Sequence, residues 1–399
     1  MAAEPVGRAG IRSLSSLDLE GRRVFIRVDF NVPLDGTTIT DDTRIRAALP
    51  TIRAVMESGG RPVLASHLGR PKGKVVPELS LEPAGLRLAE LLECEVLLAD
   101  DCIGDGPRKV VSDLRDGQVA LLENLRFQAG EKENDEAFAK ELLRVAEVYV
   151  NDAFGAAHRA HASVSALPRL VRDRAAGLLL EKELDALGRL RDAAPKPYVA
   201  VLGGAKVSDK IGVIEALMAR VDTLVIGGAM ANTFLAAQGR EMGRSLVEED
   251  KLALARTLLQ RAEERGTQLL LPVDVRVAQS TEASAAEVLP VTDLGVDDMA
   301  LDIGPDSLER FSEALRLAAA VFWNGPMGLF ENDAFAAGTL GVAEVLAAAP
   351  GFTVVGGGDS VAAIKQAGLS DRFDHVSTGG GASLELLEGK KLPGVESLR

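Results

Sequence analysis

Four times in its second half the chain runs an apolar segment straight into a cluster of glycines. The segments are Tyr198-Val-Ala-Val-Leu-Gly-Gly-Ala-Lys206, Thr223-Leu-Val-Ile-Gly-Gly-Ala-Met230, Phe352-Thr-Val-Val-Gly-Gly-Gly-Asp-Ser360 and Val376-Ser-Thr-Gly-Gly-Gly-Ala-Ser383. Each reads as a buried strand, a turn without side chains, and the start of a helix. Such a turn leaves backbone N–H groups unpaired beside the positive end of a helix dipole. Parallel sheets bind anions at that place. Four such turns in one chain point to a large ligand bearing several phosphates. A single Gly-Gly after a strand is more often only a tight turn, so the recurrence carries the inference.

The interior must be built mainly from Ala, Val and Leu, because aromatics make up only 4% of the chain. That composition suits helices packed on a parallel sheet. A length of 399 residues is enough for two or three domains with separate cores. The formal net charge of -14 argues against partners that are nucleic acid or acidic membrane, since the long-range field repels both. Basic residues that gather in one place therefore carry more weight. Cys94 and Cys102 match no zinc or redox spacing and read as small hydrophobes in a reducing compartment. Met1–Gly10 shows no apolar targeting core, and no uncharged stretch is long enough to span a bilayer. The expectation is a cytoplasmic protein.

In the first half, Arg23–Asp29, Arg61–Ser66, Gln118–Glu123 and Val148–Val150 read as strands. A polar loop follows the first of them. Asp41-Asp-Thr-Arg-Ile-Arg46 reads as a helix start with acids in its first turn, where the dipole favours them. The strand ends carry polar and cationic side chains: Asp29 and Asn31, Arg44, His67 and Arg70, Arg126, then His158, Arg159 and His161. If the strands are parallel, these residues share one sheet edge. One loop arginine is ordinarily a solvated charge. Arginines at successive strand ends are suited to a small, highly charged anion held in bidentate pairs. Zinc is disfavoured at His158 and His161, because Arg159 stands between them; His375 has no evident role. Leu180, Leu184, Leu187 and Leu190 recur at helical spacing and predict a long helix over 177–192, ended by Pro195 and Pro197. The domain boundary falls in or beside it.

On the glycine-rich side, Lys206 and Lys210 are four residues apart and would share one helix face. Asp359 follows the amides of Gly357 and Gly358 directly, a placement suited to Mg²⁺ bridging phosphate oxygens. Neither G-x-x-x-x-G-K-[ST] nor G-x-G-x-x-G occurs, which argues against a P-loop enzyme and a dinucleotide-dependent dehydrogenase.

These residues together resemble the phosphoglycerate kinase family nearly from end to end. The resemblance rests on Arg27-Val-Asp-Phe-Asn-Val-Pro33, His67-Leu-Gly-Arg-Pro71, Glu123-Asn-Leu-Arg-Phe127, the run from Asn151 to Ser163, Gly203-Gly-Ala-Lys-Val-Ser-Asp-Lys-Ile211, Asp302-Ile-Gly-Pro305, Trp323-Asn-Gly-Pro-Met-Gly-Leu-Phe-Glu331 and the last two glycine turns, in that order. It implies reversible Mg²⁺-dependent phosphoryl transfer between ATP and 3-phosphoglycerate, a step of glycolysis and gluconeogenesis, by a monomer. The implied fold is α/β: two doubly wound, Rossmann-like, three-layer αβα lobes with mainly parallel sheets, joined by a long helix about which they close. Residues 1–180 would bind 3-phosphoglycerate, 181–197 would connect, 198–382 would bind nucleotide, and 383–399 would return to the first lobe.

Carried over by position, Asp29, Phe30 and Asn31 would contact the glycerate, with His67, Leu68, Gly69, Arg70, Arg126 and Arg159. Arg44 matches a catalytic arginine that also touches this substrate. Lys206 matches the lysine that follows the moving phosphoryl group, and Gly380 and Gly381 would offer it amides. Lys210, Gly304, Asn324, Glu331, Gly357, Gly358 and Ser360 would hold the nucleotide with Lys206, and Asp359 would take the metal. Ala156 departs from the threonine the family often has there, with only a minor effect expected. The rival readings are a ligase or a kinase for another small acid, which would share the glycine turns, and a two-lobed solute-binding protein, which Lys206, Lys210 and Asp359 disfavour. Mg²⁺-dependent ATP binding would separate these classes.

Overall fold

The computed structural model describes residues 10–399; the stretch Met1–Ala9, read above as lacking a targeting core, lies outside the described residues. The chain divides into two compact units between Asp185 and Ala186, with Lys391–Arg399 belonging to the first.

The first unit is built on six strands: β1 (Arg23–Arg27), β2 (Arg61–Ala65), β3 (Val96–Leu98), β4 (Val119–Leu121), β5 (Val148–Asn151) and β6 (Arg174–Ala176). They lie in the order β3-β4-β2-β1-β5-β6, all parallel. Val24, Phe25 and Ile26 are fully buried, as expected for a strand covered on both faces. The chain winds outward through β2 and then returns to place β5 on the other side of β1. The sheet therefore reverses direction between β1 and β5, where loops diverge and leave a crevice for ligands.

Helix α1 (Thr43–Glu57) buries Ile45, Ala48, Ile52 and Val55 on one stripe against Ile26, Leu64 and Val148 of the sheet. It starts at Thr43, so Asp41 and Asp42 precede it and its first turn contains no acid. The Thr43 N–H donates to Asp41 Oδ1 over 2.9 Å, a local turn that holds the helix start back. The loop after β1, read as wholly polar, contains a small hairpin pairing Leu34–Asp35 with Thr38–Ile39.

The second unit contains β7 (Tyr198–Leu202), β8 (Thr223–Ile226), β9 (Gln268–Leu270), β10 (Asp274–Ala278), β11 (Glu287–Pro290), β12 (Met299–Ile303), β13 (Ala320–Asn324), β14 (Phe352–Gly356) and β15 (His375–Val376). Its main sheet is parallel, in the order β9-β8-β7-β13-β14-β15. That is the doubly wound order, with its switch point between β7 and β13. An antiparallel sheet β11-β10-β12 is added to it. The sequence reading missed this sheet because only Val275 and Val277 of β10 are buried apolar residues, while β11 is largely exposed.

Helix α2 (Leu178–Asp192) crosses the division. It starts one residue after the glycine predicted to open it. The Gly177 N–H bonds the Asn151 carbonyl instead, and a Cβ there would lie 2.2 Å from Asp152 Oδ1. That oxygen accepts from the N–H groups of Leu179 and Leu180 at 3.0 and 3.3 Å, capping the positive end of α2. The tail is fastened to the first unit as well. The Gly394 N–H bonds the Ala157 carbonyl, and Ser397 Oγ donates to the Val164 carbonyl over 2.8 Å.

Burial pushes the Asp152 carboxyl up to about 7, against the Thr51 hydroxyl and the two helix amides. The folded chain thus holds a proton that the unfolded chain releases, and stability from this group falls as pH rises from about 4 to about 7. Asp152→Asn keeps the cap and cannot ionise. It should exceed the wild type in stability by roughly 1–3 kcal/mol at pH 8 and lose that advantage near pH 4, as read by chemical unfolding at each pH.

Candidate functional site

The carboxyl-terminal edge of the first sheet gathers polar groups from four strands. After β1, the Asp29 carboxylate pairs with Arg44 Nη1 at the start of α1, at 2.8 Å. His67 Nδ1, after β2, lies 3.9 Å from the other Asp29 oxygen. Asn31 Oδ1 accepts the N–H of Gly69 over 2.9 Å, and Arg126 Nη1, after β4, donates to the Gly69 carbonyl over 2.7 Å. Gly69 has φ of +61°, and a Cβ there would meet Leu79 at 2.7 Å, so this tight turn requires glycine. Arg159, after β5, is exposed and donates from Nε to His158 Nε2 over 3.1 Å.

The concentration of positive charge is legible in the titration of the members. Burial, then the neighbouring Arg159 and Arg27, bring the Arg126 guanidinium down to about 10, so it remains charged at neutral pH. Burial, then Arg126, Arg27 and Arg159, bring the His161 imidazole down to about 4. Burial opposes ionisation of Asp29, but the neighbouring His67, Arg44 and Arg27, with the Asn31 N–H, outweigh it and hold the carboxyl below its ordinary range. The edge therefore presents ionised arginines, a neutral His161 and a carboxylate too acidic to be a useful base.

On the second unit the structure corrects the expectation of unpaired turn amides: Gly203, Gly204, Gly227 and Gly228 all donate to backbone carbonyls. The glycine turns after β7, β8 and β13 touch each other. The Gly203 N–H bonds the Asn324 carbonyl, Gly204 the Pro326 carbonyl, and Gly228 the Met327 carbonyl. A Cβ on Gly203 would lie 2.0 Å from the Pro326 oxygen. Helix α3 (Ile211–Met218) begins well after the first turn, whereas α4 (Gly228–Ala237), α6 (Gly358–Gln366) and α7 (Gly380–Leu387) start within their turns; α5 (Pro305–Arg316) follows β12 and its N-cap Gly304. A Cβ on Gly380 would contact Gly357 Cα at 3.1 Å, so the turns of β14 and β15 adjoin. Ser360 Oγ accepts the Gly325 N–H over 2.6 Å. The buried Nδ2 of Asn324 has no partner and lies 2.9 Å from where a Cβ of Gly357 would be. Asp359, Gly358 and Gly381 are exposed at the starts of α6 and α7.

The two lysines correct the sequence reading. Both precede α3, so they do not share a helix face. Gly204, at φ +106°, turns the chain away and delays the helix. Lys206 is exposed. Lys210 Nζ donates to the Gly203 carbonyl at 2.6 Å and to Asn324 Oδ1 at 2.8 Å, and burial brings its ammonium down to about 8 although Asp359 and Asp209 favour the charge. The side chains of Phe30 and Leu68 lie in the core at 0% and 3% exposure, so only their backbone can face a ligand. Arg70 and Glu331 are exposed on their loops. Three buried residues beneath the first edge, Arg27, Glu131 and Ser163, escaped the sequence reading. Arg27 lies within the run read as the first strand, and Glu131 lies in a stretch to which the sequence reading assigned no element.

One carboxylate beside exposed amides fits magnesium, which keeps much of its water shell and binds by one or two carboxylates plus ligand phosphates. Among the described residues no cluster of three or more His, Cys, Asp or Glu could hold a metal alone.

The family model described as phosphoglycerate kinase matches residues 14–390. A phosphoglycerate kinase from Anaeromyxobacter dehalogenans (strain 2CP-C) is 58% identical over 392 residues, covering 97% of this chain and 99% of its own. A cytosolic phosphoglycerate kinase from Triticum aestivum is 54% identical over 396 residues, with 98% of each covered. The solved structure of phosphoglycerate kinase from Coxiella burnetii superposes with a TM-score of 0.88 at 39% identity, over 97% of this chain and 98% of that one.

Gly228 has φ of +66°, and a Cβ there would lie 2.6 Å from the Gly204 nitrogen. Gly228→Ala should therefore push the β7 and β8 turns apart. The overpacking of about 1–3 kcal/mol should appear as a loss of Mg-ATP affinity of about tenfold or more by calorimetry.

Proposed function

The chain belongs to the phosphoglycerate kinase family, and from that we propose that its two sheet edges divide the substrates between them, the acid on the first and the nucleotide on the second. The enzyme transfers a phosphoryl group between ATP and the carboxylate of 3-phosphoglycerate, the reversible step 1,3-bisphosphoglycerate + ADP = 3-phosphoglycerate + ATP of glycolysis and gluconeogenesis. The observation that carries the division is the contrast in chemistry. Arginine side chains stand at the first edge, and glycine turns that open helices at Gly358 and Gly380 stand at the second.

A carboxylate is already ionised at neutral pH, so attack on the γ-phosphorus requires no general base. In the direction that makes the acyl phosphate, right to left as written above, a carboxylate oxygen forms the new P–O bond, the bond to the β–γ bridging oxygen breaks, and ADP leaves with that electron pair. The reaction needs two polyanions held in line and the charge on the moving group compensated. Arg126, Arg159, Arg70 and His67 would hold the phosphate and carboxylate of the glycerate. Asp29 and Asn31 would fix its hydroxyl end, with the backbone of Phe30, Leu68 and Gly69 closing the turn. Arg44, fixed by Asp29 at 2.8 Å, would meet the transferring group. Lys206 would follow that group, and the amides of Gly380 and Gly381 would receive its oxygens.

Lys210, Asn324, Ser360, Gly357 and Gly358 would line the phosphates, with Gly304 and Glu331 toward the adenosine. Asp359 would hold the magnesium, which when bound supplies charge neutralisation on the nucleotide phosphates. We place the enzyme in the cytoplasm as a monomer without nucleic-acid or membrane partners. The net charge of -14 and the cytosolic description of the wheat relative support this; among the described residues no helix is long and apolar enough to cross a membrane.

A coupled assay with ATP, Mg²⁺ and 3-phosphoglycerate, run beside other small acids, tests the reading; equal turnover of an unphosphorylated acid would reject it. Lys206→Ala should lower kcat by about 10²–10³-fold, the loss typical of one preorganised donor, and leave the KM for 3-phosphoglycerate nearly unchanged. Equal losses in both would contradict its assignment to the moving phosphoryl group.

A further inference from the structure

Beneath the first edge, four buried side chains form a chain of hydrogen bonds whose direction is fixed by chemistry. Glu131, in the short helix Ala129–Lys132, is fully buried. Its Oε1 accepts from Ser163 Oγ over 2.6 Å, and its Oε2 accepts the Ser163 N–H over 2.9 Å. A carboxylate can only accept, so the Ser163 hydroxyl hydrogen points toward it. The Ser163 oxygen is then free to accept from Arg27 Nε over 2.8 Å. Arg27 Nη2 lies 3.1 Å from His67 Nδ1. A guanidinium can only donate, so that contact is a hydrogen bond only if His67 Nδ1 carries its lone pair.

We propose that Glu131, Ser163 and Arg27 act as a relay of positioning residues that fixes His67 as a neutral imidazole with its proton on Nε2. This rests on the reading of the first edge as the 3-phosphoglycerate site. There, His67 meets an anion as an uncharged donor, and the arginines supply the charge. The groups facing His67 are Asp29 from the loop after β1, Arg27 from β1, Arg126 from the loop after β4 and Arg159 from the loop after β5. Asp29 alone would draw a proton onto Nδ1, but at 3.9 Å it is farther than Arg27. Burial, followed in the same direction by Arg27, Arg126 and Arg159, keeps the imidazole well below its ordinary value despite Asp29. Arg27 Nη1 also donates to the Val28 carbonyl, and Glu131, one hydroxyl beyond Arg27, supplies the negative charge that compensates the buried guanidinium. Ser163 passes that anchoring on without letting the two charges collapse into a direct pair. Tyr149 Oη donates to the Ser163 carbonyl over 2.8 Å and holds the serine in place from β5.

Long-range ¹H–¹⁵N correlation spectra of the full-length, ¹⁵N-labelled protein report the tautomer of each imidazole, and His67→Gln assigns the signal. His67 should show a bare Nδ1 and a protonated Nε2 without titrating between about pH 5.5 and 8.5, a range in which a free histidine ionises. Ser163→Ala should let Arg27 turn to Glu131, so that His67 titrates within this range and shows both tautomers. The kcat/KM for 3-phosphoglycerate should then gain an ionisation on its acid side, and Ser163→Thr should restore the wild-type spectrum and profile. A wild-type His67 protonated on Nδ1, or titrating within the range, overturns the relay even if Ser163→Ala does not fold. An unchanged Ser163→Ala spectrum also overturns it. Either result in an active enzyme leaves the functional reading standing, whereas failure to phosphorylate 3-phosphoglycerate rejects that reading itself.

Discussion

The parallel pairing of strands is the constraint from which both candidate sites follow. Strands that all run one way deliver every strand-to-helix turn to the same edge of the sheet, and the unpaired amides and helix dipoles arrive there together. In the first unit the order reverses between β1 and β5, and in the second between β7 and β13. The residues proposed to touch substrates stand mostly at the ends of strands beside these reversals: Asp29 and Asn31 after β1, Arg159 after β5, Lys206 and Lys210 after β7, Asn324 at the end of β13. One face of each main sheet packs a core rich in Val, Leu and Ile, and residues of the other face, such as Phe25, Val63, Leu224 and Phe322, are buried as well, which holds the edges in place.

The two edges use that common geometry differently. On the second unit the turns approach until backbone touches backbone, and Gly203, Gly228 and Gly325 have no space for a Cβ. On the first unit the loops are longer and the charge is carried by side chains. Those side chains repel each other, so the edge must be held together from below and within. The Asp29–Arg44 pair at 2.8 Å and the buried Glu131 do this. The fold holds the arginines in place against their mutual repulsion.

Much of the site was legible in the chain because each candidate sits at the end of an apolar run, and the run predicts where the strand stops. The glycine turns, the recurrence of arginine at strand ends and the leucine spacing of α2 are local patterns with local causes. Other features depend on details that an apolar run or a residue spacing does not carry. The Asp41 side chain holds α1 back to Thr43. Gly204 delays α3, so Lys206 and Lys210 do not lie on a helix. Phe30 and Leu68, flanked by polar site residues, point into the core.

The order of glycine turns and basic strand ends, and with it the doubly wound architecture, was already determined by the amino-acid sequence. Apolar periodicity and backbone freedom act over a few residues and do not need the rest of the molecule. Only the tertiary structure decided that Glu131, Ser163, Arg27 and His67 meet. Separations of 32, 136 and 40 residues place these links beyond any local pattern. The hydrogen-bond direction that sets a protonation state exists only once the folded chain has removed water from around them.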